Sequence, residues 1–443
     1  MNRRNFLKYA SSLGLVLCTP GKFALSQESE AIEQFFIFID AGGGWDPTSL
    51  CDPKGNIERS DGRGVINHYH ADDIETLANS PIQYAPFPNT TLLNSESPAL
   101  REDMPITSFT SFFNRHSQKI TIINGIDVET VSHAVGSRNT WSGSSKEGTP
   151  SLSALVAANK APDSIMSFLS YGGYDTTANL VPVTRVNNPS IFQELAFTNR
   201  PNINDSNRHY LHPSVYQKIT QAKQQRLQRA LNESLLPQRR AALRRLLNIQ
   251  SHGLEHVITK MDFIKNHLPN QNFSKGLKGQ AELASAAFAA GAAVSANLYM
   301  GGLDTHSSHD RNHTFNLAEL IDGVDHLWDM LERLNIANKT TVIIGSDFGR
   351  TPFYNEQFGK DHWNITSMIL MSNRIPGNRV IGGTDENYNA LKLNPINLEI
   401  AQNQDDPFAI KLSPSHIHTA LRQKFHIKAA NFSLEAPLLP IFG

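Results

Sequence analysis

The sequence predicts an α/β fold: a mainly parallel central sheet with helices on both faces and a helical insertion at about 205–280. Three observations lead there. Short, continuously apolar runs of strand length occur, among them Phe-Phe-Ile-Phe-Ile at 35–39 and Thr-Thr-Val-Ile-Ile-Gly at 340–345; stretches of helical length lie between them; and Asp, His and Gly follow the runs directly. Strands covered on both faces read as uninterrupted apolar runs, and parallel neighbours need a crossover, usually a helix. At 443 residues, 40% hydrophobic and 18% charged, the composition is that of a folded globular chain with room for one large α/β domain.

The elements follow in order. Arg3 and Arg4 precede Asn5-Phe6-Leu7-Lys8 and a short apolar run from Tyr9 to Cys18, and Ala24-Leu25-Ser26 offers a cleavage site. Residues 1–26 therefore read as a twin-arginine signal peptide, which makes the twin-arginine translocase a partner during export and leaves 27–443 as the domain, periplasmic or secreted. The run at 35–39 reads as a buried strand opening into Asp40-Ala41-Gly42-Gly43-Gly44-Trp45-Asp46, and 51–105, rich in Pro, Asn, Ser and Asp, reads as long surface loops. Ile120 to Asn124 reads as a second strand. Residues 216–265 are helical, and Arg226, Arg229, Arg239, Arg240, Arg244 and Arg245 read as a solvated helix face. Small residues from Ala281 to Ala296 make a closely packed helix before a strand at 297–300; an amphipathic helix at 317–334 precedes the strand at 340–345, and another strand is expected at 367–371. Beyond the signal no stretch reaches 18 uninterrupted apolar residues, so no stable membrane insertion is expected. A net charge of −1 supplies no general field for nucleic acid, so no nucleic-acid partner is expected. Cys51 is read as a lone thiol without redox role.

Ligands of open parallel sheets bind at the carboxyl ends of the strands. Asp40 follows the first strand, Ser132-His133 the second, Asp304-Thr305-His306 the third and Asp347 the fourth, with Asp361-His362 14 residues further on. Taken singly, each is an ordinary cap or loop residue. Oxygen and imidazole donors on one sheet edge are together what a divalent metal requires: zinc or manganese by this donor set, with calcium or magnesium as alternatives.

Thr340 to Arg350 resembles the strand-plus-ligand segment of the alkaline phosphatase and sulfatase superfamily, although Phe348 stands where a second ligand commonly follows. With Gly301-Gly302-Leu303-Asp304-Thr305-His306, Gly345 to Pro352, Asp361-His362-Trp363 and Gly382-Gly383-Thr384-Asp385, the chain more closely resembles the exported family labelled domain of unknown function 1501. The resemblance implies an alkaline phosphatase-like fold, metal ligands at Asp40, Asp304, His306, Asp347 and His362, and hydrolysis of a small phosphate or sulfate ester. The sulfatase pattern has a Cys or Ser ten residues before the Gly of a small-residue-Gly pair, here Ser142-Gly143, and His133 stands at that place. Three options follow: His133 as ligand or acid/base, Ser132 as a shifted nucleophile, or water activated by the metals. His309 could replace or supplement His306. Arg138 and Arg350 are candidates to fork onto the anion, and Trp45, Trp141 and Trp363 flank the candidate loops. The alternative to a hydrolase is a non-catalytic envelope binding or assembly protein on the same fold, favoured by the missing Ser or Cys.

Overall fold

Phe35–Ala41 (β1) is buried at all seven positions, as its uninterrupted apolar run requires. Successive side chains point to opposite faces of a strand. Phe36 and Phe38 accordingly join a core with Leu155, Ile417 and Phe425, whereas Phe35 stacks on Phe288 with ring centroids 4.9 Å apart. The computed structural model describes residues 34–87, 107–162, 166–186, 197–202, 205–252, 273–429 and 431–443, with isolated positions at 164, 260, 262, 264 and 266. The expected signal at 1–26 lies outside the described residues.

Seven further strands complete the sheet: Ile120–Asp127 (β2), Phe168–Ser170 (β3), Val183–Arg185 (β4), Ser295–Met300 (β5), Thr340–Gly345 (β6), Ile365–Ser372 (β7) and Arg379–Ile381 (β8). Their order across the sheet is β8-β2-β7-β6-β1-β5-β3-β4. All neighbours pair in parallel except β7, which runs antiparallel to both β2 and β6. The sheet is thus mainly parallel, as expected, with one reversed strand near its middle.

The helices are Phe109–His116 (α1), His133–Ser142 (α2), Leu152–Lys160 (α3), Pro213–Glu233 (α4), Pro237–His252 (α5), Gly276–Ala289 (α6), His309–Arg333 (α7) and Pro414–Lys424 (α8). One face of the sheet is covered by α3 and α8, whose Leu152, Val156 and Leu421 belong to the Phe36 cluster. On the other, Phe288 of α6 lies on Phe35, and Trp328 of α7 donates its indole N–H to Met371 Sδ on β7 at 3.3 Å. Within the stretch expected as a helical insertion at about 205–280, the described residues include the α4–α5 hairpin. The small-residue helix is α6, and it ends at Ala289 because Gly291 takes φ +71° and the chain turns into β5. Residues 51–87 are not only surface loop: Cys51, Ile66, Tyr69, Ile82 and Tyr84 are buried, and Glu75–Thr76 pairs with Gln83–Tyr84. The polar composition there hid apolar residues too irregularly spaced to show a period. No helix among the described residues is long and apolar enough to cross a membrane.

Candidate metal centre

The carboxyl ends of β1, β5 and β6 lie side by side, Asp40 being in register with Tyr299 and Gly345. The loop after β1 passes against the loop after β5, and the contact needs glycine. Gly43 takes φ +112°, and a Cβ there would stand 2.6 Å from the Asp304 amide nitrogen. The first turn of α2 presses equally closely on the turn after β6, for a Cβ on Gly136 would lie 2.4 Å from the Asp347 carbonyl oxygen. That approach brings His133 to Asp347. A two-residue ribbon pairs His362 opposite Arg350 and carries His362 to the same place.

Six side chains converge. His133 Nδ1 lies 2.5 Å from Asp347 Oδ2, His306 Nδ1 lies 2.7 Å from Asp361 Oδ1, and His362 Nδ1 lies 2.9 Å from the Val131 carbonyl oxygen. Each of these partners only accepts, so each Nδ1 carries the proton and each Nε2 of a neutral ring is a lone pair. Those lone pairs are aimed at one another and at Asp304. His306 Nε2 is 3.1 Å from His362 Nε2; both are near Asp304 Oδ1, at 3.0 and 3.1 Å, and His133 Nε2 is 3.5 Å from Asp304 Oδ2. Ligand atoms of His133, Asp304 and His362 all lie within 4.8 Å of one another. A convergence of acceptors is repulsive unless a cation or extra protons join it.

Asp40 adds to this. It is 5% exposed, its Oδ1 has no hydrogen-bond partner, and a Cβ on Gly173 would come 2.5 Å from its Oδ2. Burial, reinforced by repulsion from Asp347, raises its pKa to about 7. Asp304 goes the other way: burial alone would raise it, but the hydrogen bond and charge of Arg350 hold it at about 2. Asp40, Asp304, Asp347 and His133 line a cavity of about 610 Å³ with Ser137, Tyr299 and four glycines, and no Lys or Arg lines it. An orphaned buried carboxylate oxygen beside imidazole lone pairs fits a divalent cation in donor type.

Of the expected ligands, Asp304, His306 and His362 meet directly, and Asp347 reaches them through His133, while Asp40 faces the same cavity. Ser132, Arg138, Arg350 and His309 stand otherwise than expected. Ser132 is the exposed residue before α2 and does not line the cavity; Ser137, one helical turn beyond His133, does. The Arg138 guanidinium donates to the Ser145 carbonyl at 2.7 Å and pairs with Glu147, at the far end of α2. Arg350 is wholly buried, donating to the carbonyls of Gly43, Gly44 and Lys360 and to Asp304 Oδ1 at 2.5 Å, so it clamps the loops instead of facing an anion. His309 is no substitute for His306: its Nε2 lies 3.1 Å from Asp46 and its Nδ1 2.7 Å from the Thr305 hydroxyl, in a buried network with Lys360 and His313. Trp45 and Trp141 are core residues, and Trp363 is half-buried with its N–H on the Tyr388 carbonyl. Cys51 is buried and free. Ser137, Tyr299 and Gly173 carried no signal in sequence. Asp361 did, adjoining His362, yet its use as the partner of His306 depends on the fold.

Fold and site together define an α/β protein with a histidine and aspartate cluster at the carboxyl edge of its sheet. The chain belongs to the family described as protein of unknown function (DUF1501), whose model matches residues 34–403. No curated protein matches it. Among solved structures it is similar to the phosphonate monoester hydrolase of Agrobacterium radiobacter, at 10% identity over 89% of this chain and 74% of that one with a TM-score of 0.34. It is also similar to a 2-O GAG sulfatase, at 8% identity over 89% and 71% with a TM-score of 0.31, and to alkaline phosphatase from the Antarctic bacterium TAB5, at 10% over 78% and 94% with a TM-score of 0.29.

Proposed function

We propose that the protein is an exported, metal-dependent hydrolase of phosphate or sulfate esters, with a divalent metal, zinc or manganese by donor type, held by Asp304, His306, His362, His133 and the Asp40–Asp347 pair. The observation that carries this reading is the convergence of three imidazole Nε2 lone pairs on the Asp304 carboxylate, beside a buried Asp40 oxygen without a partner. A divalent cation there would polarise an ester oxygen and lower the pKa of an attacking water. The chain's own residues supply the rest. Asp361, the Val131 carbonyl and Asp347 hold the three rings so that Nε2 faces inward, and Arg350 fixes Asp304. His133, backed by Asp347, presents its Nε2 to the cavity as the third imidazole donor. With three aspartates and no Lys or Arg in the lining, an anionic ester has no partner until metal charge is present.

Metal analysis of the full chain by inductively coupled plasma mass spectrometry, with a panel of aryl phosphate, phosphodiester and aryl sulfate esters, tests the reading. The expected result is one or two equivalents of metal, turnover abolished by a chelator and restored by metal, and loss of metal in Asp304→Asn and His362→Ala. No metal after reloading and no turnover would overturn it. A second reading, a non-catalytic envelope binding protein, is favoured by one observation: Ser137 and Tyr299 supply the only side-chain hydroxyls among the cavity-lining residues. Its expected result is bound metal with no turnover of any ester.

A further inference from the structure

The α4–α5 hairpin concentrates charge that the near-neutral chain conceals. Residues 213–252 contain eight Lys and Arg and one acidic residue, Glu233, a formal +7 in a chain of net −1. No residue of α4 is buried. Its partly buried positions, Tyr216, Thr220, Gln224, Leu227, Ala230 and Leu231, form one stripe about 120° wide. Beside that stripe, at about 100° per residue, Lys218, Arg229, Val215, Arg226 and Ile219 fall within an arc of roughly 100°. All five are exposed, so this face is basic and apolar at once. At the turn between the helices Leu235 is 92% and Leu236 65% exposed, followed by exposed Arg239 and Arg240.

We propose that this hairpin docks the protein on an anionic phospholipid bilayer, with Leu235 and Leu236 entering the headgroup boundary and the basic residues on lipid phosphates. Charge complementarity alone would suit a nucleic acid or an acidic protein equally well. Two adjacent leucines left almost bare at the tip, and Val215 and Ile219 interleaved with the cations, suit neither, whereas an anionic bilayer satisfies both features. The expected mode is peripheral, since neither helix is apolar enough to span.

Co-sedimentation of the full chain with vesicles of phosphatidylcholine alone, or of phosphatidylcholine with phosphatidylglycerol, tests this. Residues 1–26 are the same in every variant, so differences between variants belong to the hairpin. The parent is expected to bind the phosphatidylglycerol vesicles at least tenfold more tightly, and Arg226→Glu/Arg229→Glu to lose about tenfold of that. Leu235→Ser/Leu236→Ser should also lose about tenfold, with an unchanged circular dichroism spectrum; single Leu235→Ser serves if the double variant is misfolded. Equal binding to both vesicle types, or binding unmoved by both double variants, overturns the proposal. So does a dimer, detected by light scattering, that the leucine variant abolishes without altering vesicle binding. Binding to duplex DNA that survives the leucine variant, with no preference for anionic vesicles, would make the hairpin a nucleic-acid surface instead.

Discussion

Arg350 joins the loops after β1 and β5 to the ribbon that carries His362, because one planar guanidinium serves three carbonyls and a carboxylate. A lysine ammonium has the charge but not the fork. Arg350→Lys should therefore leave buried carbonyls unsatisfied, each at about 1–3 kcal/mol, and lower stability by about 3 kcal/mol or more while weakening metal binding. Urea unfolding and metal content check this. Unchanged stability and metal with only a raised KM for the ester would return Arg350 to the substrate anion. At this scale the sequence revealed donor types but not their partners. Asp40, Asp304, His306, Asp347 and His362 were legible because each sits just after a strand or in a recognisable motif. The inward role of Arg350 was not, since an Arg beside a ligand reads alike whether it points to solvent or into the protein. Nor was the service of Asp361 to His306, which depends on a contact between residues 55 apart.

The helix α2 owes its position to a residue that is ordinarily a defect. Glycine inside a helix costs about 1 kcal/mol relative to alanine, so Gly→Ala at an exposed site stabilises by about that much. At Gly136 the sign reverses: the added Cβ would meet the Asp347 carbonyl oxygen at 2.4 Å, a backbone atom that moves only if the helix or the turn moves. Gly136→Ala is expected to destabilise by about 1–3 kcal/mol and to lower metal affinity by displacing His133. Thermal unfolding and metal titration would detect both, and a stabilised variant with full metal content would separate α2 from the site. The same element shows what periodicity lacks. Ten residues with Gly, Ser and Asn and no apolar stripe gave no helical signal at 133–142, whereas β1, β6 and most of α7 were legible from their apolar runs and amphipathic spacing. The reversed direction of β7 was also hidden, because a strand buried on both faces has the same composition whichever way it runs.

Across the molecule, buried histidines tie stability to pH. His418 lies in the core beside α2: its Nε2–H donates to the Thr140 carbonyl at 2.8 Å and its Nδ1 has no partner, so burial, with the nearby Arg422 charge, lowers its pKa to about 3. Burial also lowers His116, His309, His313 and His416. A base whose folded pKa is depressed binds its proton first in the unfolded chain, so its contribution is complete above about 6.5 and is lost as pH falls toward the folded value. Asp40 opposes this without metal: its folded pKa, raised to about 7, favours the folded state at low pH and is a cost as pH rises from about 4 to 7. Five depressed histidines against one raised carboxyl leave the histidines dominant. Stability from urea unfolding should decline from pH 6.5 toward pH 4, each deeply buried histidine contributing a slope of up to about 1.4 kcal/mol per pH unit. His418→Gln, which keeps a donor for the Thr140 carbonyl and removes the titration, should flatten that slope by about one proton while leaving metal content unchanged. A parent whose stability does not fall over this range, or a variant with the parent's slope, would mean that His418 takes up its proton without unfolding, and that the core beside α2 opens to water.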